Sequence, residues 1–211
     1  DIGGKALFLK ELEEKLLTGE VDLAIHSLKD VPGILPVGLE IAAVLEREDP
    51  RDCLVSYKYK SLNELPNGAI IGTSSVRRKV ILQKIHPDLK IIPCRGNIQT
   101  RLDKLSSDNA PDAIILACGG LKRLGIFDEK HCFPLTVDTM IPSAGQGTKK
   151  KKKRSDDQKM ADICKEINHL PSWYLSQAER EFLVYFDASC KTPIAAHAEY
   201  IDELIIKARY M

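Results

Sequence analysis

No CxxC pair, no His/Cys spacing suited to zinc and no apolar run approaching the ~18–20 residues of a membrane-spanning helix occur in the sequence. These gaps exclude a zinc module, a CxxC redox motif and a helical membrane span. An excess of either charge is missing too: 31 Lys and Arg against 30 Asp and Glu leave a formal net charge of +1. A surface built throughout for nucleic acid is therefore excluded, and basic character must be local, which means a site rather than a coat. Six cysteines, Cys53, Cys94, Cys118, Cys132, Cys164 and Cys190, are scattered with no hydrophobic leader ahead of them, a usage expected of a reducing intracellular setting. The first residue, Asp1, is not an initiator Met, so a targeting peptide would not be visible. What is present is apolar material. Hydrophobic residues make up 44% of 211, enough for one large or two to three small cored domains.

Apolar spacing predicts a helix over 3–18 and a buried strand within 20–27, then another strand over 39–45. The charged, proline-bearing EREDPRD at 46–52 reads as a hinge or domain crossing. Beyond it strands (69–72, 90–94, 113–117) alternate with helices (76–85, 98–105, 119–124), a pitch that predicts a mainly parallel sheet with helices on both faces. After PSAGQG at 142–147, five consecutive lysines and Arg154 form a charge block expected to be disordered or solvated. Amphipathic helices are predicted over 160–170 and 176–186, and a strand–turn–strand over 198–208.

The most pointed feature is the placement of arginines. In GTSSVRR (72–78), Ser74 and Ser75 fall where an N-cap is wanted, and Arg77 and Arg78 sit in the first turn of the next helix. In CRGNIQTR (94–101), Arg95 leaves a strand and Arg101 lies early in the following helix. Cations favour the last turn of a helix, so this arrangement works against stability unless an anion shares it. Arginine adds two-pronged recognition of carboxylate or phosphate. Two helices with solvated basic faces are the alternative. Ligands in open α/β sheets bind beyond the carboxyl ends of strands, where both segments fall.

Asp30 in HSLKDVP follows a buried strand beside Lys29; it is either a carboxylate serving a basic site or a turn aspartate capping its own backbone. Lys5 in GGKALF sits where glycines allow close approach to a ligand, though Gly-Gly-Lys is also ordinary loop composition. Cys190 lies in a turn rather than an apolar stripe, which suits a nucleophile or attachment point better than the other five cysteines do.

Taken together and in order, GGKALFLKELE, DLAIHSLKDVP, EREDPRD, GTSSVRR, CRGNIQTRL, AIILACGGLKRLG, PSAGQG and DASCKTPIAAHAEY resemble the porphobilinogen deaminase (hydroxymethylbilane synthase) family over nearly the whole chain apart from 148–159. The resemblance implies an α/β fold of three α/β domains, the first two periplasmic-binding-protein-like with a hinge and the third a small α+β domain. The implied division is 1–47 with 147–166, then 48–146, then 167–211. It implies a transferase of tetrapyrrole biosynthesis that condenses four porphobilinogen units with loss of ammonia on a dipyrromethane primer and releases hydroxymethylbilane. Residue by residue it implies Cys190 as the thioether attachment, Asp30 as the catalytic carboxylate, and Lys5, Lys29, Ser75, Arg77 and Arg78 as cofactor contacts. Arg95, Arg101, Arg123 and Gln146 are the implied substrate contacts, with no metal. The implied partner is the small molecule porphobilinogen, with no nucleic acid and no membrane, in a monomer of cytoplasm or plastid.

Two departures from the family pattern stand out. A segment expected before GGK is absent and the chain stops inside the third domain, so truncation at both ends is expected. An apolar strand normally follows GQG, whereas the lysine block here is expected not to form a buried strand. A non-catalytic anion receptor, or an inactive fragment of the enzyme, is the competing reading; a receptor needs neither Asp30 nor a loop cysteine that takes a covalent ligand. A nucleic-acid or nuclear-import role for Lys149–Arg154 is disfavoured, since the run has no interleaved aromatics.

Overall fold

The lysine run marked by composition as solvated is the middle strand of a sheet. The computed structural model describes residues 4–187 and 192–211, the side chains of residues 4–8 excepted. Helix α1 (Gly4–Leu17), strand β1 (Ala24–Ser27), a 3-10 turn (Leu28–Asp30) and strand β2 (Leu39–Val44) come first. Strands β3 (Asp52–Val55), β4 (Ile70–Gly72), β5 (Lys90–Ile92), β6 (Ala113–Ala117) and β7 (Cys132–Pro134) follow, with helices α2 (Val76–Ile85), α3 (Ile98–Asp103) and α4 (Cys118–Arg123) among them. Strand β8 (Lys149–Arg154), helices α5 (Gln158–Glu166) and α6 (Leu170–Tyr185), and strands β9 (Ile194–Tyr200) and β10 (Leu204–Tyr210) come next.

The first sheet has the order β1-β8-β2, with β8 antiparallel to both neighbours. Lys150, Lys152 and Lys153 are buried along it, which overturns the solvated reading of 148–154. The position of the segment explains the error. Leu28 N–H bonds to Thr148 O at 2.9 Å and Leu45 N–H to Lys149 O at 2.9 Å, so the chain is delivered between two strands that need a partner whatever its side chains are. Partial compensation comes from Glu13, which pairs with Lys152, and from Glu40, 2.7 Å from Lys153. The apolar cluster left to this sheet is small: Leu16, Ala24 and Leu39, with Val21 against it.

The second sheet has the order β5-β4-β6-β3-β7. Only β5, β4 and β6 are parallel; β3 runs antiparallel to β6 and β7, so the mainly parallel sheet expected from the sequence is a mixed one. Strands β3 and β7 escaped the sequence reading because each is short and carries no polar alternation. All four residues of β3 are buried, with Leu54 in one core beside Ile71, Ile81 and Ile115, and Cys53 and Val55 in the other beside Ile114 and Leu116. Burial on both faces erases the alternation that marks a half-buried strand. Helix α2 starts where expected because Ser75 caps it, its hydroxyl accepting from Arg78 N–H at 3.4 Å.

Strands β9 and β10 form an antiparallel hairpin that packs with α6. Helices α5 and α6 begin earlier than the predicted 160–170 and 176–186. His169 caps α6, its ring accepting from Ser172 N–H, and Pro171 occupies the first turn. Two chain crossings join the sheets side by side, with Glu48 N–H donating to Gly147 O at 3.0 Å. Gly147 has φ +85°, and a Cβ there would lie 2.2 Å from Glu48 O. Glycine is therefore required where the two crossings touch.

Candidate active site

Strand β1 ends in the 3-10 turn that carries Lys29 and Asp30, and β4 ends at the cap of α2. Both open onto one cavity of about 380 Å³ at the chain crossing. Lys29, Asp30, Ser75, Arg77 and Arg78 line it, and so do Arg101 and Gln146. Val31, Pro32, Leu183 and Ile194 supply an apolar wall. The carboxyl ends of β1 and β4 thus meet at the edge where the sequence reading placed a ligand.

Arg77 and Arg78 are buried, 4% and 6% exposed, and face a carboxylate the sequence reading missed. Asp52, the first residue of β3, accepts from Arg78 Nε at 3.0 Å and Nη2 at 2.7 Å, and its other oxygen lies 2.7 Å from Arg77 Nη1. Arg78 Nη1 donates to Ile115 O at 2.8 Å and Arg77 Nη1 to Ile141 O at 2.7 Å. Asp52 therefore supplies much of the charge balance for which an external anion seemed necessary. Burial pushes its carboxyl up, but Arg77 and Arg78 outweigh that and hold it well below the usual carboxylate range. One signal could have found it: a carboxylate heading a wholly apolar run needs a cation where it is buried.

Gln146 links the two crossings. Its amide donates to Asp52 Oδ1 at 2.9 Å and to Pro50 O at 2.7 Å, and its oxygen accepts from Lys29 Nζ at 3.2 Å. Burial, then the charge of Arg78, lowers the Lys29 pKa to about 8, so the ammonium is mostly protonated at neutral pH. Arg77 Nε is enclosed and has no acceptor among the described residues, so the guanidinium contributes to the cavity through its charge rather than through that nitrogen.

The remaining expected residues fall elsewhere. Arg95 is exposed in the loop after β5 and is not among the residues lining the cavity. Arg123 is exposed and donates to Gly147 O at 2.7 Å, which ties α4 to the crossing. Arg101 reaches the cavity while its Nε donates to Gly96 O at 2.8 Å. Lys5 belongs to α1 but its side chain is outside those described, and Cys190 lies outside the described residues. The sequence reading missed Ser143 and Thr192 among the lining residues, and Ser74, expected as a cap, lines the cavity while its hydroxyl accepts from Cys94 N–H at 3.0 Å.

The family model for the porphobilinogen deaminase dipyrromethane cofactor-binding domain matches residues 1–162, and that for the porphobilinogen deaminase C-terminal domain matches 173–209. The chain belongs to the porphobilinogen deaminase family. Porphobilinogen deaminase of Rickettsia prowazekii (strain Madrid E) is 54% identical over 211 residues, covering 100% of this chain and 70% of the relative. That of Rickettsia conorii is 55% identical over 202 residues, covering 96% of this chain and 57% of the relative. Among solved structures, a YaeC-family lipoprotein of Enterococcus faecalis covers 83% of this chain and 90% of its own at 17% identity with a TM-score of 0.48, too loose a likeness to support an inference. Porphobilinogen deaminases are transferases of tetrapyrrole biosynthesis, also named hydroxymethylbilane synthases, and their cofactor is dipyrromethane. The cavity suits that group. Its cationic lining and its apolar wall match a flat, carboxylate-bearing pyrrole better than a neutral ligand. No helix is long and apolar enough to cross a membrane among the described residues.

Proposed function

We propose that this chain joins four porphobilinogen units head to tail with loss of ammonia and releases hydroxymethylbilane, using dipyrromethane carried on Cys190. The observation that supports this most is the convergence of Lys29, Arg77, Arg78 and Arg101 with one carboxylate, Asp30, on a single cavity. When bound, dipyrromethane supplies the pyrrole end to which the next unit is joined.

Arg77 and Arg101 hold ligand carboxylates through guanidinium N–H groups, Arg78 adds charge behind them, and Lys29 and Ser75 add single donors. Lys5 is assigned a further cofactor contact on the family resemblance alone. Asp30 takes the proton that a pyrrole carbon sheds when a C–C bond replaces its C–H bond, and balances positive charge at the pyrrole nitrogen. Val31, Pro32, Leu183 and Ile194 exclude water, which strengthens each of these interactions. Arg123 is assigned to the crossing rather than to a carboxylate, and Arg95 to the exposed loop after β5. The proposal takes 1–47 with 147–166, 48–146 and 167–211 as three units, in keeping with one sheet in each. It extends to a monomer acting in the cytoplasm, a setting in which the five buried free thiols stay reduced.

Asp30→Ala is the direct test. Positioned acid–base groups contribute about 10²–10⁴-fold, so the variant should melt as the parent does and bind porphobilinogen while product formation falls at least ~100-fold. Turnover within a few-fold of the parent would remove Asp30 from the chemistry.

A further inference from the structure

We propose that Asp52 is a positioning residue for carboxylate recognition: it holds Arg77, Arg78 and, through Gln146, Lys29 in one fixed array across the chain crossing. The proposal rests on the deaminase reading of the cavity and adds a residue that does not itself touch the ligand.

Three observations carry it. Asp52 is fully buried and heads β3 at the exit of the first crossing, where it faces α2 of the second sheet and Gln146 of the second crossing. Its carboxylate is the common partner of groups that would otherwise repel one another: two adjacent guanidinium groups at a helix N-terminus, whose dipole also disfavours cations. Every nitrogen of Arg78 already donates, two to Asp52 and one to Ile115 O. Asp52 and Arg78 therefore form a brace, and Arg77, held against it through Nη1, lines the cavity. The same carboxylate reaches Lys29 through one amide, Oδ1 to Gln146 Nε2 and Gln146 Oε1 to Lys29 Nζ. Arginine and lysine side chains lose much rotamer freedom when a ligand fixes them, and holding them beforehand removes that loss from binding. The brace is thus expected to act on affinity more than on the chemical step.

The test measures porphobilinogen affinity by calorimetry in the Asp30→Ala background, where turnover is suppressed, with and without Asp52→Asn. Asparagine keeps the size and one acceptor but removes the charge. The dissociation constant should rise at least tenfold for the molecules that remain folded. In the otherwise native chain, KM should rise by the same factor while kcat changes less than threefold. Affinities equal within twofold would overturn the proposal and leave Asp52 with a purely structural role. No binding by the Asp30→Ala protein itself would overturn the deaminase reading and this proposal with it, so the two failures differ. Should Asp52→Asn fail to fold, Gln146→Met cuts the link to Lys29 without changing charge. A rise of threefold or more in the dissociation constant is then expected, and an unchanged value would overturn the array.

Discussion

Replacing Lys150 by leucine is expected to raise the thermal unfolding midpoint by on the order of 10 °C, an unusual direction for a substitution in a central strand. Lys150 is fully buried in β8, and its Nζ meets no acceptor among the described residues. Lys152 has Glu13, and Lys153 has Glu40 and the carbonyl of Arg154, but Lys150 faces His26 across the pair and feels Lys152 and Arg180 as further cations. Burial first, then Lys152 and Arg180, lowers its pKa from 10.5 to about 6. The folded chain thus carries a neutral amine at pH 7 where the unfolded chain carries an ammonium. Releasing that proton costs about 1.4 kcal/mol per pH unit below the unfolded value, or ~5 kcal/mol at neutrality. Because the unfolded state binds the extra proton, parent stability should climb as pH rises from about 6 toward 10.5. Leucine removes the amine, keeps a side chain long enough to fill the space, and should flatten that climb. Lys149→Leu, at a half-buried position of the same strand, serves as the control and should change the midpoint little. An unchanged midpoint and pH slope in Lys150→Leu would mean that this amine is solvated.

Glu179→Ala should act in the opposite sense, with a loss of about 3–5 kcal/mol, a large part of the total for a natural domain. Glu179 is fully buried on α6 and pairs with Arg47 of the first crossing at 2.6 Å. It also accepts from Gly145 N–H at 2.6 Å and Ala198 N–H at 2.7 Å, which joins α6, both crossings and β9 at one carboxylate. Arg47 continues the knot by donating from Nε to Gln146 O at 2.9 Å. His197, whose pKa burial and then Arg47 lower to about 4, stands neutral 3.7 Å away and cannot replace the lost charge. Truncation strands a buried guanidinium and two buried N–H groups. The double variant Arg47→Met with Glu179→Leu should recover part of the loss, since the unpaired cation is gone while Gly145 and Ala198 still lack an acceptor. Chemical denaturation of the three proteins measures this. A single-variant loss below about 1 kcal/mol would place the pair in solvent-like surroundings.

Local signals in the sequence were strong where one residue settles a boundary. The cap at Ser75 placed α2 at Val76–Ile85 without error, and the helix before Thr18 followed from its leucine spacing. They failed where a distant partner decides. Arg47 and Glu179 are 132 positions apart, and neither carries a local mark of the other. Asp52 was absorbed into the charge of EREDPRD although it is the buried head of β3. Lys149–Arg154 was judged by composition, whereas its structure is set by the two strands that flank it. The cavity was legible in part: Asp30, Arg77 and Arg78 follow strand ends, and topology brings strand ends together. Arg95 and Arg123, chosen on the same motifs, are turned elsewhere by loop and helix geometry that no spacing rule encodes.

The measurement that bears most directly on the account is the intact mass of the purified chain under denaturing conditions, with Cys190→Ser beside it. An excess equal to one dipyrromethane in the parent, absent from the variant, is the result expected of a cavity that holds the cofactor and a cysteine that tethers it. A parent of bare polypeptide mass after supply of porphobilinogen, or an excess that survives Cys190→Ser, would contradict it.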